Sequence, residues 1–330
     1  MSISKLKVDF AKIEAESSTI QIINSDNYDF VDSGSIDLIL TDPPFNIARD
    51  TNFHTYEKNT INSYRFDKGK GWDSFSPQDF KAEMDKWAIN FSRVLRPGGF
   101  FAIFCADEYL SFLHDSLKKA KLSPKRTITW RKPNAVPINR EFMMMSACEY
   151  IVTGVKGNKS TFNATIVLKS GPTSIAESIN IGDKVGQIIE LAVRRAVQNH
   201  VHSLGDDYAL NIQAVIKNAM DVALDDATNR ATSIYKIDKE QKEIVQLCIP
   251  NEVSFNSAAG NRIHPTEKPV GLLKYLLEVY SRPGDLILDP FSGSGSLGEA
   301  AISMKRNAIL VERDPEFYAK SIDRLNRTSL

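Results

Sequence analysis

Apolar positions along the chain fall into two periods. Short β-rich runs predict strands at Thr19–Ile23, Ser35–Leu40 and 100–105 (FFAIFC), then at RTITW, CEYIVTG, 285–289 (DLILD) and 307–314 (NAILVERD). Between them the apolar residues recur at helical spacing. Phe80, Met84, Trp87, Ala88, Phe91 and Val94 predict a helix over Asp79–Leu95 that stops at Pro97-Gly98-Gly99. Further helices are expected at about 107–120, in EKPVGLLKYLLEVYS with Pro269 in its first turn, and in PEFYAKSIDRLN. One more follows the glycine loop at 292–295, with Ser296 and Glu299 as a capping box. Strands alternating with helices predict an α/β fold, a doubly wound and mostly parallel sheet covered on both faces.

The rhythm changes in the middle of the chain. VGQIIELAVRRAVQNHV and YALNIQAVIKNAMDVALDDA carry helix-period apolar positions with no strand signal between them. Residues 156–261 are therefore expected to form a helical insertion, a candidate for target recognition or dimerisation. Residues 1–155 and 262–330 would make one α/β domain from both ends of the chain. Residues 46–78 are polar and mixed, and predict a long loop of the kind that usually carries function.

Charge and cysteine usage narrow the function classes. The 330 residues sum to a formal net charge of zero, which argues against non-specific coating of nucleic acid but leaves room for a local basic cleft. The cluster Lys118, Lys119, Lys121, Lys125, Arg126, Arg131 and Lys132 is a candidate phosphate track, or simply a solvated surface. Cys105, Cys148 and Cys248 lack CxxC spacing, which argues against a zinc ribbon or disulfide framework and suits a reducing cytoplasm. No apolar run reaches membrane-spanning length, and MSISKLKVDFAKIEAESS lacks the apolar core of a signal peptide. The expectation is a cytoplasmic protein with no membrane partner. His200 and His202 stand two apart and would not share a helix face, so no metal site is expected.

Two stretches carry candidate chemistry. In LILDPFSGSGS, Gly293 and Gly295 lie between a buried strand and a helix, where glycine lets a ligand approach the backbone. Glu312 ends the next strand, about where an acid meets ribose hydroxyls in dinucleotide-type folds. The loop has no GK[ST] ending, so a triphosphate is not supported; Gly298 supplies a third glycine, which keeps a nicotinamide or flavin cofactor as a rival on this stretch alone. Asp289 and Phe291 flank the loop, and an acid with a ring suits an ammonium and a sulfonium or adenine edge better than a pyrophosphate.

The second stretch is TDPPF, 41–45, at the end of a strand, where α/β folds bind ligands. Asp42 offers a carboxylate and Pro43 a backbone carbonyl. Pro43 and Pro44 stiffen the loop and remove two competing N–H donors, and Phe45 can stack on a planar ring. Methyl transfer to the exocyclic amine of a nucleobase needs such a pair of acceptors, because positive charge develops on the attacking nitrogen. The ring serves once the base has left the duplex.

Together these residues resemble the S-adenosylmethionine-dependent DNA amino-methyltransferases of the β group, whose catalytic motif precedes the recognition region and the cofactor motifs. TDPPFN matches the catalytic motif, HPTEKP (264–269) the segment leading into the first cofactor-side helix, LDPFSGSGS the cofactor loop and LVERDPEFY the ribose strand end. WRKPN, CEYIV and GWDSF resemble weaker motifs. The resemblance implies a Rossmann-like methyltransferase fold, S-adenosylmethionine as methyl donor with no metal required, and double-stranded DNA as partner. It also brings in a cognate restriction endonuclease as a candidate partner.

Residue by residue, it implies that Asp42, Pro43, Pro44 and Phe45 hold and stack the target base. Asp289, Phe291, Gly293 and Gly295 would line the methionine side, with Glu312 on ribose. His264, Thr266 and Lys268 would sit near the methionine carboxylate, and Asp26 near an adenine, although Ser25 stands where the family usually has glycine. The leading aspartate is commoner in the adenine-N6 enzymes and a leading serine in the cytosine-N4 enzymes, so adenine is the expected target. Cytosine N4 and a catalytically silent DNA-binding subunit are the alternatives.

Overall fold

The computed structural model describes residues 8–46, 73, 75–135, 146–157, 251–258, 263–264 and 266–329, together with the backbone of five short strands. It divides into two compact units, Met1–Asn163 with Asn251–Leu330, and Ala164–Pro250.

The first unit is built on a nine-stranded sheet. In chain order its strands are β1 (Phe10–Ala15), β2 (Ser18–Asn24), β3 (Ile36–Thr41), β6 (Leu95–Cys105), β7 (Ser123–Arg131), β8 (Cys148–Val155), β12 (Glu252–Ser254), β13 (Leu286–Asp289) and β14 (Asn307–Glu312). Two further three-residue strands, β4 (Asn52–His54) and β5 (Thr60–Asn62), pair antiparallel within the stretch expected to be loop. The helices are α1 (Pro77–Val94), α2 (Leu110–Lys119), α3 (Val270–Tyr280), α4 (Ser296–Ser303) and α5 (Pro315–Thr328).

The sheet order is β1-β2-β14-β13-β3-β6-β8-β7-β12. From β2 through β14, β13 and β3 to β6 every pairing is parallel, whereas β8 runs antiparallel to both β6 and β7, and β1 antiparallel to β2. The central strands are buried on both faces, with Ile22, Leu38, Ile39, Phe101, Ile103, Ile287 and Leu288 fully inaccessible. That is why they read as unbroken apolar runs rather than as alternation.

Local chemistry explains the helix ends. Ser76 caps α1, accepting from Asp79 N at 3.1 Å, and Pro77 opens the helix where a missing N–H does no harm. Asp314 and Pro315 do the same for α5. The capping box expected at Ser296 and Glu299 does not form. Gly295 is the N-cap with φ of +72°, Ser296 is buried inside the first turn, and Glu299 turns instead to Arg324 at 2.7 Å.

The second unit shows three strands, β9 (Ile166–Leu168), β10 (Tyr235–Asp238) and β11 (Glu243–Gln246), in one antiparallel sheet of order β10-β11-β9. The sequence pattern carries no sign of them, because three or four residues are too short to display a period. The two expected helices, with His200, His202, Arg194 and Arg195, lie outside the described residues, as does most of 46–72. Residues 252–254, placed within the insertion by sequence, pair with β7 in the main sheet.

Candidate active site

β3 and β13 are neighbours in the sheet although 248 residues separate their ends. From β3 the chain crosses to β6 on one side, and from β13 to β14 on the other. Successive connections that diverge in this way open a crevice at the carboxyl ends of the two strands. The crevice is a cavity of about 960 Å³, lined by residues of both strand ends, the HPTEKP segment and the start of α5. That is at the upper end for a small-molecule site, with room for a nucleoside cofactor and a second planar ligand. Thr41 Oγ1 donates to Asp289 Oδ1 at 2.6 Å and ties the two strand ends together.

Asp42 does not stand alone on the β3 side. Lys268, only 7% exposed, donates to Asp42 Oδ2 at 2.6 Å and to the Thr266 carbonyl at 3.3 Å, and lies 3.4 Å from Glu149 Oε2. Its ammonium also sits 5.1 Å from the ring centres of both Phe45 and Phe104. Glu149 is bound on its other oxygen by Lys132 at 2.5 Å. The result is a row of alternating charge, Asp42, Lys268, Glu149 and Lys132, in which Lys268 is buried and the other three are half-buried. Burial pushes the Asp42 carboxyl up to about 6, with Lys268 drawing it down and Glu149 pushing it further up. Burial works against the Lys268 ammonium, but the two carboxylates outweigh it and hold its pKa above the usual lysine range. Asp42 Oδ1 is buried and has no hydrogen-bond partner among the described residues.

Asn46, absent from the expected site, sets the shape of this loop. It is buried at φ +55°, its N donates to Asp73 Oδ1, its Nδ2 donates to Tyr109 at 3.0 Å, and its Oδ1 accepts from Phe75 N at 2.7 Å. Asparagine tolerates the left-handed region better than other side chains, and here three bonds hold it there.

The β13 side is held by neutral donors. Asp289, 6% exposed, accepts from Thr41 and from Phe291 N at 3.1 Å, and burial pushes its carboxyl up to about 7. Gly293 has φ of +50° and donates its N–H to Glu312 Oε2 at 2.7 Å, while Glu312 Oε1 accepts from Asp314 N at 2.8 Å. Glu312 is thus fixed at the end of β14 with lone pairs left for a hydroxyl; burial raises its pKa. Phe291 stands edge-on to Trp87 of α1, their centres 5.2 Å apart. His264 packs edge-on to Phe317 at 4.4 Å and lies over Gly293, where an added Cβ would come within 3.4 Å of the ring; Thr266 Oγ1 is 3.1 Å from His264 Nδ1. Exposed Asp26 lines the same cavity.

The cavity therefore brings together all of Asp26, Asp42, Pro43, Pro44, Phe45, His264, Thr266, Lys268, Asp289, Phe291, Gly293 and Glu312. Gly295 lies one turn behind, packed where a Cβ would meet Ser321 Cβ at 2.8 Å. Lys268 also has two protein partners that the sequence does not signal, the carboxylates of Asp42 and Glu149. Sequence reasoning also missed Thr41, Glu149, Trp87 and Arg324. Arg324 reaches Glu267 and Glu299 at 2.7 Å each and Ser294 Oγ at 3.3 Å, joining the HPTEKP segment to the glycine loop and α4. None of these four has a local signal, because each partner is distant in sequence. In the basic cluster, Lys132 is engaged inside with Glu149, Lys119 lies 3.5 Å from Asp85, and Arg131 lies 3.6 Å from Glu252. Among the described residues no helix is long and apolar enough to cross a membrane.

Known proteins resemble this chain at several levels. It is 44% identical over 84 residues to the type II methyltransferase M2.MboI of Moraxella bovis, which covers 26% of this chain and 29% of that protein. Over 91 residues it is 36% identical to YubD of Escherichia coli strain K12, covering 28% and 40%. The matched stretches thus span less than half the length of these relatives. Among solved structures, the cytosine-N4-specific PvuII DNA methyltransferase superposes with a TM-score of 0.55 at 13% identity, covering 97% of this chain and 95% of that one. The M1.HpyAVI–SAM complex superposes with a TM-score of 0.51 at 19% identity, covering 93% and 99%. At such identities the likeness is one of fold. The DNA methylase family model for N6 and N4 enzymes matches residues 36–323, from β3 into α5 and across both sides of the cavity. The chain belongs to the N6/N4 family of DNA methylases.

Proposed function

We propose that this chain is a site-specific methyltransferase that moves a methyl group from S-adenosylmethionine to the N6 amine of an adenine flipped out of double-stranded DNA. The observation that carries the reading is Asp42. One carboxylate oxygen is held by Lys268, and the other is a buried acceptor with no partner among the described residues, beside Phe45 and in the same cavity as the glycine loop. A buried polar atom with no partner calls for a ligand or a catalytic role, and an amine N–H would satisfy it.

The residues divide the work. S-adenosylmethionine, when bound, supplies an electrophilic methyl on a sulfonium, so no metal is needed to activate the donor. Asp42 and the Pro43 carbonyl accept from the two amine hydrogens and stabilise the positive charge that develops on nitrogen as its lone pair forms the N–C bond. Phe45 stacks on the extruded base. Asp289 suits the ammonium of the donor, and Glu312 suits ribose hydroxyls. The bare backbone at Gly293 allows close approach there. His264 and Thr266 close the methionine end.

The family spans both N6 and N4 enzymes, and the same clamp would serve cytosine N4. The leading Asp42 supports adenine. Nucleoside mass spectrometry on DNA from methylation-free cells expressing the chain decides the matter, beside an Asp42→Ala control. N6-methyladenine that vanishes in the control is the expected result. N4-methylcytosine would keep the clamp and change the base. Neither mark, from soluble protein that binds S-adenosylmethionine, would remove the reading in favour of a silent subunit.

A further inference from the structure

The Asp42 carboxyl accepts most strongly, and best offsets a developing positive charge, when it is ionised, and its surroundings oppose that. It is half-buried in the cavity wall, and the other charges that face it include Glu149 from β8, Asp73 from the segment before α1 and Asp289 from the end of β13, all carboxylates. Against these three, among the described residues, stands the cation Lys268, from the segment that leads into α3. An ammonium has three protons to donate, and here its neighbours are Asp42, the Thr266 carbonyl and Glu149. Its one short hydrogen bond, at 2.6 Å, goes to Asp42, and Glu149 Oε2 lies within ion-pair range at 3.4 Å, so the ammonium is held by these two carboxylates.

Resting on the proposed methyl transfer, we infer that Lys268, backed by Glu149, is a positioning residue that keeps Asp42 anionic and fixed for the target amine, rather than a ligand of the cofactor. Lys268 acts through Asp42 in two ways. It occupies Oδ2, so that the carboxylate cannot rotate and Oδ1 remains the acceptor. It also offsets the burial and the neighbouring carboxylates that would otherwise protonate the group. Glu149 fixes the far side of the ammonium while itself anchored by Lys132, at 2.5 Å. Its negative charge opposes ionisation of Asp42, so the two supporting residues pull the titration in opposite directions.

That opposition makes the inference testable with two variants, Lys268→Gln and Glu149→Gln, measured as purified full-length chains. Methylation of plasmid DNA from methylation-free cells would be followed from pH 5 to 9 with labelled S-adenosylmethionine, and donor affinity by calorimetry. The wild type should lose activity as pH falls through about 6, where Asp42 takes up a proton. Lys268→Gln should move that acid limb to higher pH and lower kcat near neutrality by roughly a hundredfold, the scale of losing one preorganised interaction. The loss should shrink at pH 9, and donor affinity should stay within about threefold, well inside one tenfold step of binding free energy. Glu149→Gln should move the limb the other way. Acid limbs that stay put in both variants overturn the inference, whatever happens to the rate. So does a Lys268→Gln enzyme that keeps kcat at saturating donor while losing donor affinity, which would return Lys268 to the methionine carboxylate. If one variant fails to fold, the limb of the other still decides. A wild type that binds donor but methylates no base would instead overturn the proposed function and this inference with it.

Discussion

The two loops that make the site begin with nearly the same words, Asp42-Pro43-Pro44-Phe45 after β3 and Asp289-Pro290-Phe291 after β13. Both aspartates sit at the carboxyl end of a central parallel strand, and burial raises both pKa values. Their partners differ in kind. Asp289 is held by neutral donors, a threonine hydroxyl on the adjacent strand and the amide two residues on. Asp42 is held by a lysine 226 residues away, itself braced by a second carboxylate. Both main partners are distant in sequence, Thr41 by 248 residues and Lys268 by 226, so the difference is one of charge and not of range. A loop that must present a carboxylate to a developing cation needs a charged brace, and only tertiary structure can bring one. Identical strand-end chemistry is thus turned to two uses by what packs behind it.

The largest effect should come from neutralising each aspartate in turn. Asp42→Asn should lower kcat by about 10²–10³-fold, the range for loss of a preorganised group at developing charge, with donor affinity nearly unchanged. Asp289→Asn should leave kcat within a few fold but weaken S-adenosylmethionine binding roughly 10- to 100-fold, as expected for losing an interaction with a charged group. Steady-state methylation with calorimetric binding reads both quantities. If Asp289→Asn acted on kcat alone, the division of labour between the loops would be wrong.

A smaller effect should separate the loops by what each demands of its backbone. Gly295→Ala places a side chain at φ +72° and drives a Cβ to 2.8 Å from that of Ser321, which is itself fully buried. It should destabilise the protein by about 1–3 kcal/mol through strain alone, and thermal unfolding would show it. Pro44→Ala removes only rigidity, so its loss should stay under about 1 kcal/mol. Equal losses would mean that the proline pair is as constrained by packing as the glycine loop is.

The sheet and the cofactor loop were legible because their signals are local. Buried parallel strands announce themselves as apolar runs, and a glycine needed at positive φ stands beside the strand it follows. The motif residues were legible because the family writes them contiguously. What stayed hidden was held by distant partners. Glu149 and Arg324 read as ordinary charges on a strand and a helix, and only their partners, Lys268 for one and Glu267 with Glu299 for the other, give them a role. Lys268 was legible from its motif, but its partners Asp42 and Glu149 were not, since sequence order places it beside His264 and folding places it beside Asp42. The short strands β9, β10 and β11 were missed because a strand of three or four residues is too short to display alternation.

The subtlest contrast is in pH. Asp289 is raised to about 7 and Asp42 to about 6, with Glu312 raised as well, against unfolded values near 4. Between about pH 4 and 7 the folded chain therefore binds more protons than the unfolded one, so stability falls as pH rises through that window. The ligand-free protein should show a higher Tm at pH 5 than at pH 8, as far as these groups decide it. Donor binding should run the opposite way. A cation docking against Asp289 needs the carboxylate, so affinity should rise with pH up to about 7, by at most tenfold per unit, and binding should release a proton. Calorimetry in two buffers of different ionisation enthalpy counts that proton directly. Asp289→Asn should abolish both the pH slope and the proton release, whereas Asp42→Asn should leave them in place. A slope that survived in the first variant and disappeared in the second would reverse the comparison, and make the target-side aspartate the one that senses the donor.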